Sequence, residues 1–198
     1  MKTQTMRWTL LTTVGLTAGM GAALVLGEPI ERVVGMILVT PILTGLVGAS
    51  LGVAQSLHLR HSPHFSMTRW ILASCLGLGA GLAGGVVFVE QVGRAISGGQ
   101  VRLLALDPLT RAGSFAVLGL IAGFLLGLAQ WLSVGRHPLP HWPIASAVAL
   151  GLGFPLSSLL VDTVLGGLTS PQGLLVFLCA SGATLGMLTS QRLSRERI

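Results

Sequence analysis

Charged residues are scarce in this 198-residue chain, in which Asp, Glu, Lys and Arg together make up 9% of the sequence. Soluble domains carry about 25% charged residues, so the composition excludes most soluble folds. Disordered chains are poor in hydrophobic residues, whereas 52% of this chain is hydrophobic, which excludes disorder as well. The sequence therefore predicts a protein whose surroundings are largely apolar.

Cysteines and aromatic residues are also few. The two cysteines, Cys75 and Cys179, lie in separate apolar runs, and no C-x-x-C occurs, so neither a thiolate metal site nor a disulfide framework is indicated. Aromatic residues make up 5% of the chain and Tyr is absent, while Gly occurs 28 times. Abundant small residues are typical of membrane helices whose backbones approach closely.

Catalytic motifs are missing too. The chain has no HExxH and no P-loop, and no ionisable side chain falls near the middle of an apolar run. We therefore expect no enzyme activity, no cofactor, and no catalytic, cofactor-binding or metal-binding residues. The net charge of +6 does not indicate nucleic acid as a partner, because the basic residues flank apolar runs rather than forming a patch.

Long uncharged runs are what the sequence does contain. Each is long enough for the roughly 20 helical residues that cross a bilayer, and their continuous apolarity favours helices over barrel strands. The long last run contains turn residues at Gly166-Gly167 and Ser170-Pro171, so we expect the sixth helix to begin near Pro171. The six runs are Trp8–Gly27, Val33–Leu57, Trp70–Val89, Ala112–Gly135, Trp142–Val161 and Thr163–Gln191.

Three tryptophans, Trp8, Trp70 and Trp142, mark the starts of odd-numbered helices, and similar residues follow each of them at the same offsets. Even-numbered helices carry a G-x-x-x-G pair. The chain is therefore predicted to be a single all-α membrane domain over 1–198, built as three repeated hairpins in pseudo-threefold symmetry, with repeats at 8–60, 70–136 and 142–191. Four residues after each tryptophan lie Thr12, Ser74 and Ser146, and seven residues after it lie Gly15, Gly77 and Ala149. Eleven residues after it lie Gly19, Gly81 and Gly153, and twenty residues after it lie Glu28, Glu90 and Asp162.

The twenty-residue offset corresponds to roughly 30 Å along a helix, which is the hydrocarbon thickness. We therefore expect each Trp at one membrane interface, with its indole N–H in contact with water, and each carboxylate at the other. Because Trp8 belongs to the repeat, the first span is expected to be a member of the bundle rather than a cleaved signal peptide.

Basic residues set the expected orientation. Eight lie on the side of the termini and four on the other, which predicts cytoplasmic termini in a cell (plasma or inner) membrane. The first group is Lys2, Arg7, Arg60, Arg69, Arg136, Arg192, Arg195 and Arg197, and the second is Arg32, Arg94, Arg102 and Arg111.

The even helices end in Gln55-Ser-Leu-His-Leu-Arg60 and Gln130-Trp-Leu-Ser-Val-Gly-Arg136. With the preceding glycine pairs, these segments resemble the G-x-x-x-G-x-x-Q-W-L-x-L-R hairpins of uncharacterised bacterial multi-pass membrane proteins. The resemblance spans most of the chain and implies a multi-pass fold without an assigned activity. This sequence departs from the pattern at Ser56, at one extra residue in the second copy, and at Thr189, where the third copy lacks Gln.

Three sets of residues are candidates for a role beyond spanning the bilayer. Small residues four apart share a helix face and are interpreted as packing contacts, with a sliding transporter surface as the alternative. The carboxylates Glu28, Glu90 and Asp162 are interpreted as hydrated interfacial acids, with a cation-gathering ring at an outer pore mouth as the alternative. The packing glycines are Gly15, Gly19, Gly48, Gly52, Gly77, Gly81, Gly123, Gly127, Gly153, Gly182 and Gly186.

The third set is polar. Gln55 and Gln130 are expected to bond a neighbouring helix or lipid headgroups, and with Thr12, Ser74 and Ser146 they are the polar residues that a permeation path would use. The outside loop over 93–111 is longer than a hairpin needs and contains an apolar stretch, which makes it a candidate partner contact.

The sequence favours a membrane protein without a catalytic site, acting as a packing or accessory component of a membrane assembly. Its expected partners are the lipid bilayer and either further copies of itself or a larger membrane complex, reached through the 93–111 loop or the glycine faces. The alternative is a small-solute or ion channel or transporter that uses the pseudo-threefold axis. A polar, water-filled axis favours the alternative, and a packed axis with an exposed glycine face favours the accessory role.

Overall fold

The computed structural model describes residues 2–60, 65–98, 106–134, 141–165, 168 and 170–196, which form an all-helical fold. Each of the six helices in these ranges is long and apolar enough to cross a membrane, which confirms the predicted count and class. The helices are α1 (Lys2–Val34), α2 (Met36–Leu59), α3 (Met67–Ser97), α4 (Pro108–Val134), α5 (Trp142–Leu165) and α6 (Pro171–Glu196).

Helix formation follows from the apolar runs. In hydrocarbon an unpaired backbone N–H or C=O costs several kcal/mol, and a helix pairs nearly all of these groups within one segment. The membrane-crossing segments are 19 to 32 residues long. At 1.5 Å per residue the shortest is about 29 Å, so every helix reaches across the roughly 30 Å hydrocarbon layer.

Polar side chains mark the starts of three helices. The Ser66 hydroxyl accepts from the Arg69 N–H at 3.5 Å, and the Asp107 carboxylate accepts from the N–H groups of Leu109 and Thr110, each at 3.1 Å. The Ser170 hydroxyl accepts from the Gly173 N–H at 2.9 Å. These contacts satisfy backbone donors that the first helical turn leaves without partners.

Glycines make two of the breaks between helices. Gly35, with φ of 78°, is the single non-helical residue between α1 and α2. Gly98, with φ of 69°, ends α3, and its N–H donates to the Arg94 carbonyl at 2.9 Å. Both residues have a positive φ that side chains disfavour, so glycine lets these helices stop within one residue.

The helices extend further than the uncharged runs predict. Helix α1 continues through Pro29 to Val34, and α3 continues to Ser97. Both ends of the expected 93–111 loop are therefore helical, with α4 beginning at Pro108. Charged residues end an uncharged run but not a helix, because a helix that leaves the hydrocarbon keeps its backbone hydrogen bonds. The apolar stretch within that loop falls at 101–105, outside the described residues.

Each helix packs against the next in the chain, and α6 packs against α1, so the six helices close into a ring. At one end the tryptophans of α1, α3 and α5 meet; this is called the tryptophan end. The other end, which carries Glu28, Glu31, Glu90, Asp107 and Asp162, is called the acidic end.

The centre of the ring is filled with side chains. Leu16, Leu78 and Leu150, each eight residues after a tryptophan, are fully buried in one apolar core. Towards the acidic end, Phe115 and Phe154 both contact Phe177, with ring centroids 5.3 Å and 5.4 Å apart. Large apolar residues also cover the outer surface of the bundle, as expected for a protein surrounded by lipid.

Candidate functional site

The tryptophan end concentrates the polar residues that the sequence singles out, and a cluster of three indoles covers it. Trp8, Trp70 and Trp142 are 1%, 0% and 2% exposed. The Trp142 ring lies 6.1 Å from each of the other two, centroid to centroid. Each ring comes from a different odd-numbered helix, so the cluster lies across the centre of the ring.

The expectation that these tryptophans place their N–H groups in water is wrong. The Trp8 indole N–H donates to the Thr189 hydroxyl at 2.9 Å, and the Trp142 indole N–H donates to Oε1 of Gln130 at 2.8 Å. The rings turn towards the axis, where they pack on one another, and this removes their donors from the interface. A buried indole needs an acceptor, and the even helices supply two of them.

The two glutamines link helices inside the bundle. Gln130 donates from Nε2 to Oε1 of Gln55 at 3.0 Å and to the Ser74 hydroxyl at 2.8 Å. Gln55 in turn donates to the Thr12 hydroxyl at 3.3 Å. Each glutamine is only 1% exposed, so the contacts are between helices rather than with lipid headgroups. Together with Trp142, these four residues form a polar layer directly beneath the indoles.

The third hairpin has Thr189 where the others have glutamine, and this changes the hydrogen bonds. The Thr189 hydroxyl accepts from Trp8 and donates to the Leu185 carbonyl at 2.6 Å. Threonine has no side-chain amide N–H that could donate to a neighbouring hydroxyl. Among the described residues the Ser146 hydroxyl, which follows Trp142 by four residues, has no hydrogen-bond partner, and neither does the indole N–H of Trp70.

Glycines on the even helices bring each of them onto the next odd helix. A Cβ at Gly52 would lie 2.9 Å from the Cα of Ile71, one at Gly127 would lie 2.7 Å from the Cα of Pro143, and one at Gly186 would lie 2.6 Å from the Cα of Thr9. Ile71, Pro143 and Thr9 each directly follow one of the three tryptophans. A second set of glycines lies one turn earlier and makes similar contacts: Gly48 lies against Ser74, Gly123 against Ser146 and Gly182 against Thr13.

Glycines on the odd helices make the complementary contacts, within a hairpin. A Cβ at Gly15 would lie 3.0 Å from the Cα of Leu51, and one at Gly77 would lie 2.8 Å from the Cα of Leu126. Gly19 and Gly81 lie equally close to Val47 and Ala122, whereas Gly153 is looser, with Ser181 and Thr184 at 3.3 Å or more. The predicted packing glycines therefore face neighbouring helices of this chain.

The three carboxylates predicted for the acidic end have different surroundings. Glu28 has a side chain 75% exposed, paired with Arg32 one turn on, and Glu90 is half-buried. Asp162 is 8% exposed and accepts from the Arg111 guanidinium of α4 at 2.6 Å. Sequence reasoning missed Arg111 as its partner, because the two residues are far apart in the chain and meet only where α4 packs on α5.

The chemistry available to these groups is limited. Among the residues that the structure describes, no three His, Cys, Asp or Glu side chains come together to hold a metal ion. The His58 ring contacts the Trp8 indole edge-on, with ring centroids 5.5 Å apart. Hydroxyls and amides donate and accept hydrogen bonds, and indoles donate them; here they mostly do so with one another.

Comparison with protein-family models finds no match for the chain, and comparisons with curated proteins and with solved structures find none either. The resemblance to the repeated-hairpin proteins therefore stays a prediction. The described residues form six helices long and apolar enough to cross a membrane, and the candidate site is defined by its own contacts.

Proposed function

We propose that this chain is a non-catalytic multi-pass membrane protein that acts as a packing or accessory component of a membrane assembly. The observation that carries the proposal is the filled centre of the ring. Three buried indoles lie across one end, buried leucines follow, and phenylalanines fill the axis towards the other end. A path for solutes along the axis would have to displace these side chains.

We further propose that the chain is built from three repeated hairpins in pseudo-threefold symmetry. The recurrence of contacts supports this: each even helix brings a glycine against the residue that follows a tryptophan, in all three neighbouring pairs. The hydrogen bonds of two indoles also support the repeat. Trp8 donates to the even helix of the third hairpin, and Trp142 donates to the even helix of the second.

The proposed location is the plasma or inner membrane, with both termini in the cytoplasm, on the basis of the basic residues at the tryptophan end. Arg7, Arg60 and Arg69 are exposed there, where anionic lipid headgroups and the positive-inside rule favour them. Reporter fusions test the orientation. A fusion after Gly98 should report the outside, and one at the carboxyl terminus should report the cytoplasm.

A flux measurement tests the accessory role against a channel. Liposomes that contain the purified protein should release water, glycerol, K⁺ and Cl⁻ no faster than protein-free liposomes. A faster efflux that Leu78→Trp blocks would contradict the proposal, because Leu78 is fully buried in the axis. The control is Leu72→Trp on the same helix, since Leu72 is 56% exposed and faces away from the axis.

The state of the protein in its own membrane tests the assembly itself. Chemical cross-linking before solubilisation should capture the 20.5 kDa chain in a larger species, either with further copies or with another membrane protein. Recovery of uncross-linked monomer alone, at reagent levels that link a known membrane complex in the same sample, would contradict the accessory role.

A further inference from the structure

The polar layer contains the same interhelical contact twice, and its third counterpart lacks the donor. In the first two hairpins a glutamine amide of the even helix donates to a hydroxyl of the odd helix, Gln55 to Thr12 at 3.3 Å and Gln130 to Ser74 at 2.8 Å. The third hairpin has Ser146 at the hydroxyl position, but its even helix has a threonine in place of the glutamine. The contact to Ser146 therefore lacks its amide donor.

The Ser146 hydroxyl has the same orientation as its bonded counterpart. A Cβ at Gly127 would lie 2.9 Å from Oγ of Ser146, and one at Gly52 would lie 3.0 Å from Oγ of Ser74. Ser146 is 1% exposed, and an unpaired hydroxyl at such a position is costly. Ser157 of the same helix donates to a carbonyl of its own helix at 2.6 Å, whereas the Ser146 hydroxyl makes no such bond in the part of the chain that the structure describes.

The two glutamines have one further donor and one further acceptor in the same layer. Nε2 of Gln130 donates to Oε1 of Gln55 at 3.0 Å, so one amide follows the other from the second hairpin to the first. The same step from the third hairpin to the second ends on Oε1 of Gln130, which accepts from Trp142 and keeps a second lone pair. The step from the first hairpin to the third starts at Nε2 of Gln55, whose described hydrogen bond to Thr12 uses one of its two hydrogens.

We propose that the third hairpin binds a water molecule in place of the missing amide. The water accepts from Nε2 of Gln55, donates to Oε1 of Gln130 and forms its third hydrogen bond with the Ser146 hydroxyl. Buried waters in proteins make about three hydrogen bonds to polar groups that are otherwise unsatisfied. The site goes beyond the accessory role, and it does not depend on the outcome of the flux measurement.

The mixture of donor and acceptor groups selects water over an ion. A cation needs acceptors alone, and the N–H of Gln55 would direct its positive end at it. An anion needs donors alone, and Oε1 of Gln130 is an acceptor. A larger polar solute would have to displace the glutamines, each of which is 1% exposed. Water both donates and accepts, and its oxygen takes the position of one amide nitrogen.

A crystal structure of the full chain grown from a lipid phase tests the site directly. Density for one water should lie about 2.7–3.2 Å from the Ser146 hydroxyl, from Oε1 of Gln130 and from Nε2 of Gln55. The competing arrangement is a Ser146 hydroxyl that bonds the Trp142 carbonyl of the preceding turn, as helix serines often do. That arrangement, without density between the three groups, would overturn the proposal.

Two variants at one position separate the water from the threonine itself. Thr189→Gln supplies the third amide, so its Nε2 should replace the water density while its Oε1 accepts from Trp8. Thr189→Val keeps the shape of the side chain and supplies no amide, so the water density should remain. Water density that persists in Thr189→Gln, or that disappears in Thr189→Val, would contradict the assignment.

Footprinting with hydroxyl radicals generated by X-rays detects the water in vesicles, because radicals formed from a bound water oxidise the nearest reactive side chain. Trp142 is 2% exposed but donates to the same oxygen as the water, so it should be oxidised in the wild-type protein. Thr189→Gln and Ser146→Ala should each lower this oxidation severalfold. The control is Ser158→Ala, which removes another buried hydroxyl without a partner further along the same helix and should change nothing. Equal oxidation of Trp142 in all of these proteins would overturn the proposal.

Discussion

The two ends of the bundle use equivalent positions differently. At the tryptophan end, each odd helix brings an indole to the axis, and all three indoles are buried in one cluster. At the acidic end, each odd helix brings a carboxylate twenty residues later, yet Glu28 is exposed, whereas Glu90 and Asp162 are half-buried and Asp162 pairs with Arg111 of α4. One end is nearly uniform around the ring, and the other is not.

The connections between helices explain the contrast. At the acidic end a single residue, Gly35, joins α1 to α2, whereas residues 98–107 separate α3 from α4. Helix ends held by unequal connections cannot all take the same position. At the tryptophan end the two connections are equal, at seven residues each, and the close glycine contacts hold the backbones at fixed distances. Uniform packing thus accompanies equal connections and close glycine contacts, and variation accompanies unequal connections.

The largest expected effect is at the ion pair between Arg111 and Asp162. Asp162→Asn should lower the free energy of unfolding by about 3 kcal/mol, because it removes the carboxylate from an Arg111 side chain that is only 11% exposed. Glu28→Gln, in the exposed pair with Arg32, should cost about 1 kcal/mol or less. Denaturation in mixed micelles measures both. Equal effects would remove the distinction drawn between these carboxylates.

The glycine contacts come next. Gly123→Ala should lower the free energy of unfolding by about 1–3 kcal/mol, because its Cβ would press on the backbone of Ser146. The matched control is Gly113→Ala on the same helix, where the Cβ meets nothing within 4 Å and where alanine is the better helix former. Thermal unfolding in detergent compares the two variants. A Gly123→Ala protein as stable as Gly113→Ala would contradict the packing argument.

The polar layer should give a smaller and graded effect. Gln130→Leu should cost about 1–2 kcal/mol, because it leaves the Trp142 N–H without its acceptor. Gln55→Leu should cost less, since the Gln55 side chain takes part in two of the described hydrogen bonds and the Gln130 side chain in three. The shift of tryptophan emission on unfolding follows both variants. If Gln55→Leu cost more free energy of unfolding than Gln130→Leu, Gln55 rather than Gln130 would be the central residue of the polar layer.

The smallest effect concerns Asp107 at the acidic end. Hydrogen bonds from the Thr110 side chain and from the Thr110 and Leu109 N–H groups lower the pKa of this exposed carboxyl. Because the folded-state pKa lies below the unfolded value, its contribution to stability is present above the ordinary Asp range and is lost as the pH falls through the folded-state pKa. The amide shift of Thr110 in NMR should titrate below the usual range of Asp, and Asp107→Asn should abolish that titration.

The sequence predicts the helices well, because a long apolar run leaves the backbone few alternatives in lipid. It also predicts which glycines lie at helix contacts, since residues four apart share one face of a helix. The helix ends are less accessible to this reasoning. Helix α1 passes through Glu28 and Pro29 to Val34, although its uncharged run stops at Gly27.

The hydrogen-bond and ion-pair partners of the polar groups cannot be predicted from the sequence, for a physical reason. Which side chain meets Asp162 depends on the rotation of α4 and α5 about their axes, and no periodicity within one helix fixes that. The tryptophans illustrate the same point. Their position near one membrane face follows from their spacing, but whether Trp8 turns to water or to Thr189 depends on the neighbouring helix.

The contact between α1 and α6 has a consequence for biosynthesis. Thr189, which accepts from Trp8, is 181 residues further along the chain. At about 5–20 residues per second, ribosomes add that length in roughly 10–35 seconds. Until α6 has been synthesised, Thr189 is not there to accept from the Trp8 indole, and Gly182 and Gly186 are not there to cover the face of α1 that they contact in the finished fold. The sixth helix therefore completes the surroundings of the first.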